Sequence, residues 1–170
     1  MDQETLKNLL SGFLALSAET EWLEFKTASE KMDVDEIGRY FSALSNEANV
    51  KNKDRAWLIL GVNNQRQITG TGFRNSVPAI NDLKMSVAAG TGGASFIEVH
   101  QYFDPKGRVL MFEIAPASRG VPMKWKGTAY GREGESLIHL SEGKVSIILA
   151  QDQNDWSGRK CMDATLADLD

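Results

Sequence analysis

The run Ala56-Trp57-Leu58-Ile59-Leu60-Gly61-Val62 carries no charged residue and is bounded on both sides by polar turn material. Strand side chains alternate between two faces, so an apolar run of this kind needs cover on both. It predicts a strand in the middle of a sheet with a layer of structure above and below. The remaining pattern supplies those layers. Leu6, Leu9, Leu10, Phe13 and Leu14 recur at helical spacing over residues 2–17, with Asp2 placed to cap the start. Val34, Ile37, Phe41 and Leu44 line one side of a second helix beginning near Asp33, whose spacing to Glu36 is that of a capping box. Arg39, Ser42 and Asn46 lie toward its other faces. A third helix fits Val77 to Ala89, with Pro78 in its first turn and Gly90 near its end.

Strands dominate the next stretch. Residues 95–102 alternate, Asp104-Pro105-Lys106-Gly107 forms a hairpin turn, and residues 108–114 return. A loop with Arg119 runs from Pro116 to Pro122, and a short strand follows around Thr128-Ala129-Tyr130. Ser141 caps a last helix ending near Gln151. Helices and strands interleave and one hairpin is antiparallel, so the class is α+β, a mixed β-sheet flanked by helices. Residues 1–150 read as one domain and residues 151–170 as an acidic tail or linker.

The bulk numbers exclude several functions. The lone Cys161 cannot form an internal disulfide or a multi-cysteine zinc site, and it suits a reducing cytoplasm. No apolar run approaches a membrane span. Gly90-Thr91-Gly92-Gly93 lacks the Gly-Lys-Ser/Thr of a phosphate loop and follows a helix instead of opening one, so no nucleotide-binding motif is present. The net charge of −4 argues against coating nucleic acid by bulk electrostatics. The charge is uneven, however: residues 41–150 hold 13 bases and 9 acids, between two acidic ends. Trp22 and Trp57 read as core, whereas Trp125, between Lys124 and Lys126, could offer a stacking ring between phosphate contacts.

Chemistry concentrates in Glu19-Thr20-Glu21-Trp22-Leu23-Glu24-Phe25-Lys26. In an extended chain Glu24 and Lys26 share a face with Trp22, while Leu23 and Phe25 share the other with Glu21. An acid and a lysine two apart on a strand suit a metal-dependent nuclease, the acid holding a divalent cation and the lysine steadying phosphate charge. They equally suit a half-buried strand with one polar side.

This segment, the helical Ala43-Leu44-Ser45-Asn46, and Leu58-Ile59-Leu60-Gly61-Val62-Asn63-Asn64 with Ile68-Thr69-Gly70 close behind together resemble the Schlafen/AlbA-like DNA-binding domain family. Phe112-Glu113-Ile114-Ala115-Pro116-Ala117-Ser118 and Ala129-Tyr130-Gly131-Arg132-Glu133-Gly134-Glu135-Ser136 are similar to its later elements. The matches span about residues 19–150. The resemblance implies a mixed sheet with helices, nucleic acid as partner, and the N-terminal module of a longer bacterial transcriptional-regulator or ATPase-like protein. Some relatives are RNA or tRNA nucleases with two glutamates five apart and a further acid after the Gly-Val strand. Carried over, the pair is Glu19 and Glu24. The third position falls at Asn63 or Asn64, which carry no charge. The family's Asn-Thr-x-Gly-Gly turn before the strand is replaced here by Asn46-Glu47-Ala48-Asn49-Val50-Lys51-Asn52-Lys53-Asp54-Arg55, a longer basic loop.

The expectation is therefore a cytoplasmic, nucleic-acid-binding domain of a transcriptional regulator, DNA before RNA. Lys51, Lys53, Arg55, Arg74, Lys124, Lys126 and Arg132 would contact phosphates. Asn46, Gly61, Asn63 and Asn64 would be structural. One alternative is a nuclease with Mg²⁺ or Mn²⁺ on Glu19 and Glu24 and with Lys26 at the transition state. Another is an interaction module that forms a homodimer through the first helix. Arg132 could pair with the N-terminal glutamates or contact phosphate.

Overall fold

A computed structural model describes residues 1–17 and 20–160, the last helix beyond Asp152 as backbone only. The elements run α1 (Gln3–Leu14), β1 (Leu23–Lys26), α2 (Val34–Val50), β2 (Ala56–Leu60), α3 (Val77–Thr91), β3 (Glu98–Asp104), β4 (Gly107–Ile114), β5 (Lys124–Trp125), β6 (Thr128–Glu133), β7 (Ser136–His139) and α4 (Glu142–Lys160). The first four strands form a mixed sheet in the order β1-β2-β4-β3, and the last three an antiparallel sheet, β5-β6-β7. The apolar run is the interior strand β2. It pairs in parallel with β1 and antiparallel with β4.

Alternation along β2 divides the core as the pattern requires. Ala56, Leu58 and Leu60 join Ile37, Phe41, Leu44 and Ala48 of α2 and Leu83 and Val87 of α3. Trp57 and Ile59 face the other way, onto Leu6, Leu10 and Phe13 of α1. The apolar stripe of α1 thus packs within the chain through Leu6, Leu10 and Phe13. Gln3 adds to this docking: its side-chain amide donates to the Gln101 carbonyl at 2.8 Å and accepts from the Phe103 N–H at 2.9 Å, along the edge of β3.

Several boundaries differ from the sequence reading. Asp33 caps α2 through the Asp35 N–H, at 3.1 Å. The helix continues past Ala43-Leu44-Ser45-Asn46 to Val50. Gly90 lies within α3, which ends on Gly92 in the left-handed region at φ 77°. The pattern did not mark β5 or β7, which are two and four residues long. The last helix runs to Lys160, past the expected end near Gln151, and residues 161–170 lie outside the described residues.

The second sheet is seated by a tryptophan and by a polar helix face. Trp125 is buried, its Nε1 donates to Asp35 at 3.2 Å, and its ring fills a notch left by Gly38 of α2 and Gly90 of α3. A Cβ added at either glycine would fall inside the ring. Trp125 is therefore a wedge between helices and not a stacking platform for bases. We predict that Gly38→Ala costs about 1–3 kcal/mol or more by overpacking. Denaturant titration should find a smaller cost in a Trp125→Leu background. Equal costs in both backgrounds would show that the ring is not what the glycine accommodates.

Candidate functional site

The polar face of α2 is buried from Ser42 to Glu47. Ser42, Ser45 and Asn46 are each 0% exposed, and with Asn49 they occupy positions i, i+3, i+4 and i+7. Their partners are main-chain groups of residues 115–130, and for Asn49 also the Gln151 side chain. Ser42 Oγ donates to the Met123 carbonyl at 2.8 Å and accepts from the Tyr130 N–H at 3.0 Å. Asn46 donates to the Met123 and Tyr130 carbonyls at 2.9 and 2.8 Å and accepts from the Met123 N–H at 2.7 Å. Ser45 and Asn49 donate to the carbonyls of Ala115 and Ala117. β5 pairs only with Thr128 and Ala129, so from Tyr130 onward β6 has an unpaired edge. Side chains of α2 stand in for the missing strand, as buried main-chain groups require.

The next residue on that edge is Arg132, and it leads to the cleft. Its N–H donates to Glu47 Oε1 at 2.9 Å, and its carbonyl accepts from Lys144 Nζ at 2.8 Å. The buried side chain reaches back to β1. One terminal nitrogen donates to the carbonyls of Leu23 at 2.8 Å and Thr20 at 3.4 Å, and the other pairs with Glu24 Oε2. Lys26 Nζ lies 3.6 Å from Glu24 Oε1 and 5.0 Å above the Tyr40 ring. A cleft of about 170 Å³ opens here, between β1, the turn after β2 and the β6–β7 turn. Glu24, Lys26, Asn63, Asn64, Arg66, Arg132 and Glu135 supply its polar wall.

The turn after β2 is built by Gly61 and Asn63. Gly61, at φ 98°, lies against the Arg108 carbonyl and the Gly70 backbone, a place that neither a side chain nor an ordinary φ would permit. Asn63 Oδ1 accepts from the N–H groups of Gln65 and Gln67 at 3.0 and 2.9 Å. That oxygen is committed to an Asx turn. Asn64 and Arg66 line the cleft without a side-chain hydrogen bond among the described residues. No sequence signal marked Arg66 or Glu135, because only the tertiary turn brings each to β1.

The sequence-predicted residues fall in different settings. Glu19 lies outside the described residues. Lys51 Nζ lies 3.7 Å from Glu21, and Lys53 Nζ sits 5.3 Å above Trp22. Arg55 pairs with Glu113 at 3.0 Å, on the carboxylate that His100 also reaches at 2.9 Å. Arg74 packs on Phe73, Lys124 is exposed, and Lys126 pairs with Asp35 at 2.6 Å. Of the two roles open to Arg132, its guanidinium takes the pairing with Glu24.

Glu21 departs from the strand alternation because β1 begins only at Leu23, and it turns toward α4. Lys144 Nζ holds Glu21 Oε2 at 3.1 Å and Glu47 Oε1 at 2.7 Å. Burial pushes the Glu24 carboxyl above its ordinary value, against the pull of Arg132 and Lys26. Burial also raises Glu47, which is 0% exposed and whose Oε2 has no partner among the described residues. Burial pushes Glu21 upward too, but its links to Glu47, Lys144 and Lys51 prevail and hold it below its ordinary value.

Glu19, half of the expected metal pair, lies outside the described residues, and the described donors of the cleft fit a metal poorly. Glu24 already faces two cations, Asn63 is spent on its turn, and no group of three His, Cys, Asp or Glu placed to hold a metal occurs among the described residues. With Lys26 and Arg66 the cleft suits an anion better.

Two outcomes follow from the buried charges. Arg132→Met leaves Glu24 without its main counter-ion and should destabilise by about 3–5 kcal/mol in chemical denaturation. Glu47, with its raised value, favours the proton in the folded state. Relative to Glu47→Gln, the wild type should therefore lose stability as pH rises from near 4.5, the ordinary carboxyl value, through the elevated one. A difference that moves the other way across that window would refute the assignment.

The sequence profile described as Schlafen, AlbA_2 matches residues 19–141. The crystal structure of the DIP2311 protein from Corynebacterium diphtheriae is similar, with TM-score 0.58 and 16% identity, over 87% of this chain and 32% of that one. The chain thus spans about a third of that neighbour's length. The solution structure of the N-terminal domain of a Nitrosomonas europaea protein related to the ATP-dependent DNA helicase RecG is also similar. Its TM-score is 0.53 and its identity 19%, over 84% of this chain and 92% of that domain. At these identities the likeness speaks for the α+β fold. No curated protein matches the chain.

Proposed function

The chain belongs to the Schlafen AlbA_2 family, and on that premise we propose that it is a nucleic-acid-binding module that takes phosphates at the cleft beside β1. One observation carries this reading: Lys26 and Arg66 meet at a polar cleft, beside the Asn64 amide, at the C-terminal ends of the parallel pair β1 and β2. Arg132 neutralises Glu24 in the wall, which lowers the repulsion an incoming phosphate would meet. Lys51 and Lys53 stand near Glu21 and Trp22, at the other end of β1. Four residues of strand span about 10 Å, so one backbone can reach bases at both ends. Lys124, on its hairpin, is a further candidate contact.

The description of the Nitrosomonas neighbour as related to a DNA helicase supports DNA before RNA, and an N-terminal place in a longer protein. A role in transcription regulation and a cytoplasmic location belong to the same proposal. Among the described residues no helix is long and apolar enough to cross a membrane.

The test is fluorescence anisotropy with labelled duplex DNA and RNA of one sequence. Each phosphate contact contributes about 0.9 to the salt slope, so four contacts predict a roughly hundredfold weaker complex at 200 than at 50 mM salt. Arg66→Ala and Lys53→Ala should each lower the slope by about one with the fold unchanged. No binding of either polymer at 50 mM salt refutes the reading. Under this reading the domain binds without cutting. Labelled tRNA or DNA should survive incubation with Mn²⁺, and metal-dependent cleavage lost in Glu24→Gln would establish the nuclease instead.

A further inference from the structure

Lys144 breaks a local rule. Ser141 caps α4, with its Oγ accepting the Lys144 N–H at 3.3 Å and its carbonyl accepting the Val145 N–H at 2.9 Å. Lys144 is therefore the third residue of the helix, where a capping box would place Glu or Gln. A cation in a first turn also opposes the helix dipole. Rules broken this way point to a gain elsewhere. Here the ammonium meets three acceptors: Glu21 Oε2, Glu47 Oε1 and the Arg132 carbonyl, at 3.1, 2.7 and 2.8 Å. Its three protons are fully used.

The third acceptor is the important one. Glu47 holds the Arg132 N–H and Lys144 holds the Arg132 carbonyl, so the main chain of one residue is clamped on both sides. Lys144 also bonds the same Glu47 oxygen that accepts the N–H, so it braces both halves of the clamp. From this fixed point the guanidinium reaches Glu24, Leu23 and Thr20.

We infer that Lys144 is a positioning residue for the cleft: from the first turn of α4 it fixes Arg132, and through Arg132 the place of Glu24 and of the β1 edge. The inference rests on the cleft being the binding site, and it ties the seating of α4 to ligand binding there. A shift of α4 would release the Arg132 carbonyl and slacken the hold on β1.

The Arg132 Nε–H is buried and without an acceptor among the described residues, so it offers a local NMR reporter. In Lys144→Met this resonance should move or broaden, while the indole N–H of Trp57, buried against α1, stays in place. Lys144→Arg should restore it. Affinity for the labelled duplex DNA should fall about twofold to thirtyfold in Lys144→Met, the range expected for coupling through packed groups, and recover in Lys144→Arg. An unmoved Arg132 signal overturns the inference, as does a change that spreads equally to Trp57. A moved signal with unchanged affinity overturns the link to binding. If Lys144→Met does not fold, Glu21→Gln loosens the same ammonium and should move the same resonance; no movement there is equally fatal. If the wild type binds no DNA, the proposed function fails while the Arg132 signal still decides whether Lys144 positions it.

Discussion

The structure depends on the buried polar face of α2. An amphipathic helix ordinarily turns its polar side to water, but α2 buries two faces. Ile37, Phe41, Leu44 and Ala48 enter the main core. Ser42, Ser45, Asn46 and Asn49 bond the backbone of residues 115–130. Each such bond contributes only about 0.5–1.5 kcal/mol net, yet an orphaned buried partner costs about 1–3 kcal/mol. Asn46 alone serves three main-chain groups, so the seat of the second sheet hangs on a few side chains of fixed length. That is a device for specificity more than for strength. A shift of one residue along β6 would turn the Tyr130 N–H and carbonyl away from Ser42 and Asn46.

The same logic governs the charges. Glu21 and Glu24 lie three residues apart, and their cations, Lys144 and Arg132, come from more than a hundred residues later. These pairs draw the β1 edge, the β6–β7 hairpin and the first turn of α4 to one place. Buried ion pairs add little net stability, but removing one partner is costly. The cleft is thus defined by bonds that are weak to make and expensive to break, a combination that favours a single geometry. It also means that the Glu21 and Glu24 carboxylates at the start of the domain are neutralised within the fold.

Much of the architecture was legible from periodicity. The apolar run at β2, the stripes of α1 and α2 and the hairpin at Asp104–Gly107 are local signals, and each stands where its pattern put it. The short strands β5 and β7 left no trace, because two to four residues cannot display a period. The site was less legible. Ser42, Asn46 and Glu47 look like the wet side of a helix until the partner backbone is known. Lys144 looks like any surface lysine, and the turn carrying Arg66 gives no hint of its neighbour β1.

By itself the sequence determined where the longer helices and strands lie, which of their faces are apolar, and that Glu21, Glu24 and Lys26 cluster within one short segment. Those properties depend on neighbours within a few residues, and the chain carries them wherever it goes. Only the tertiary structure decided which cation answers which carboxylate, that α2 serves as a strand partner, and that Arg132 supports the cleft wall. The physical reason is desolvation. A polar group spends its hydrogen bonds on water until burial removes the water, and its partner is then whichever group the fold brings within reach.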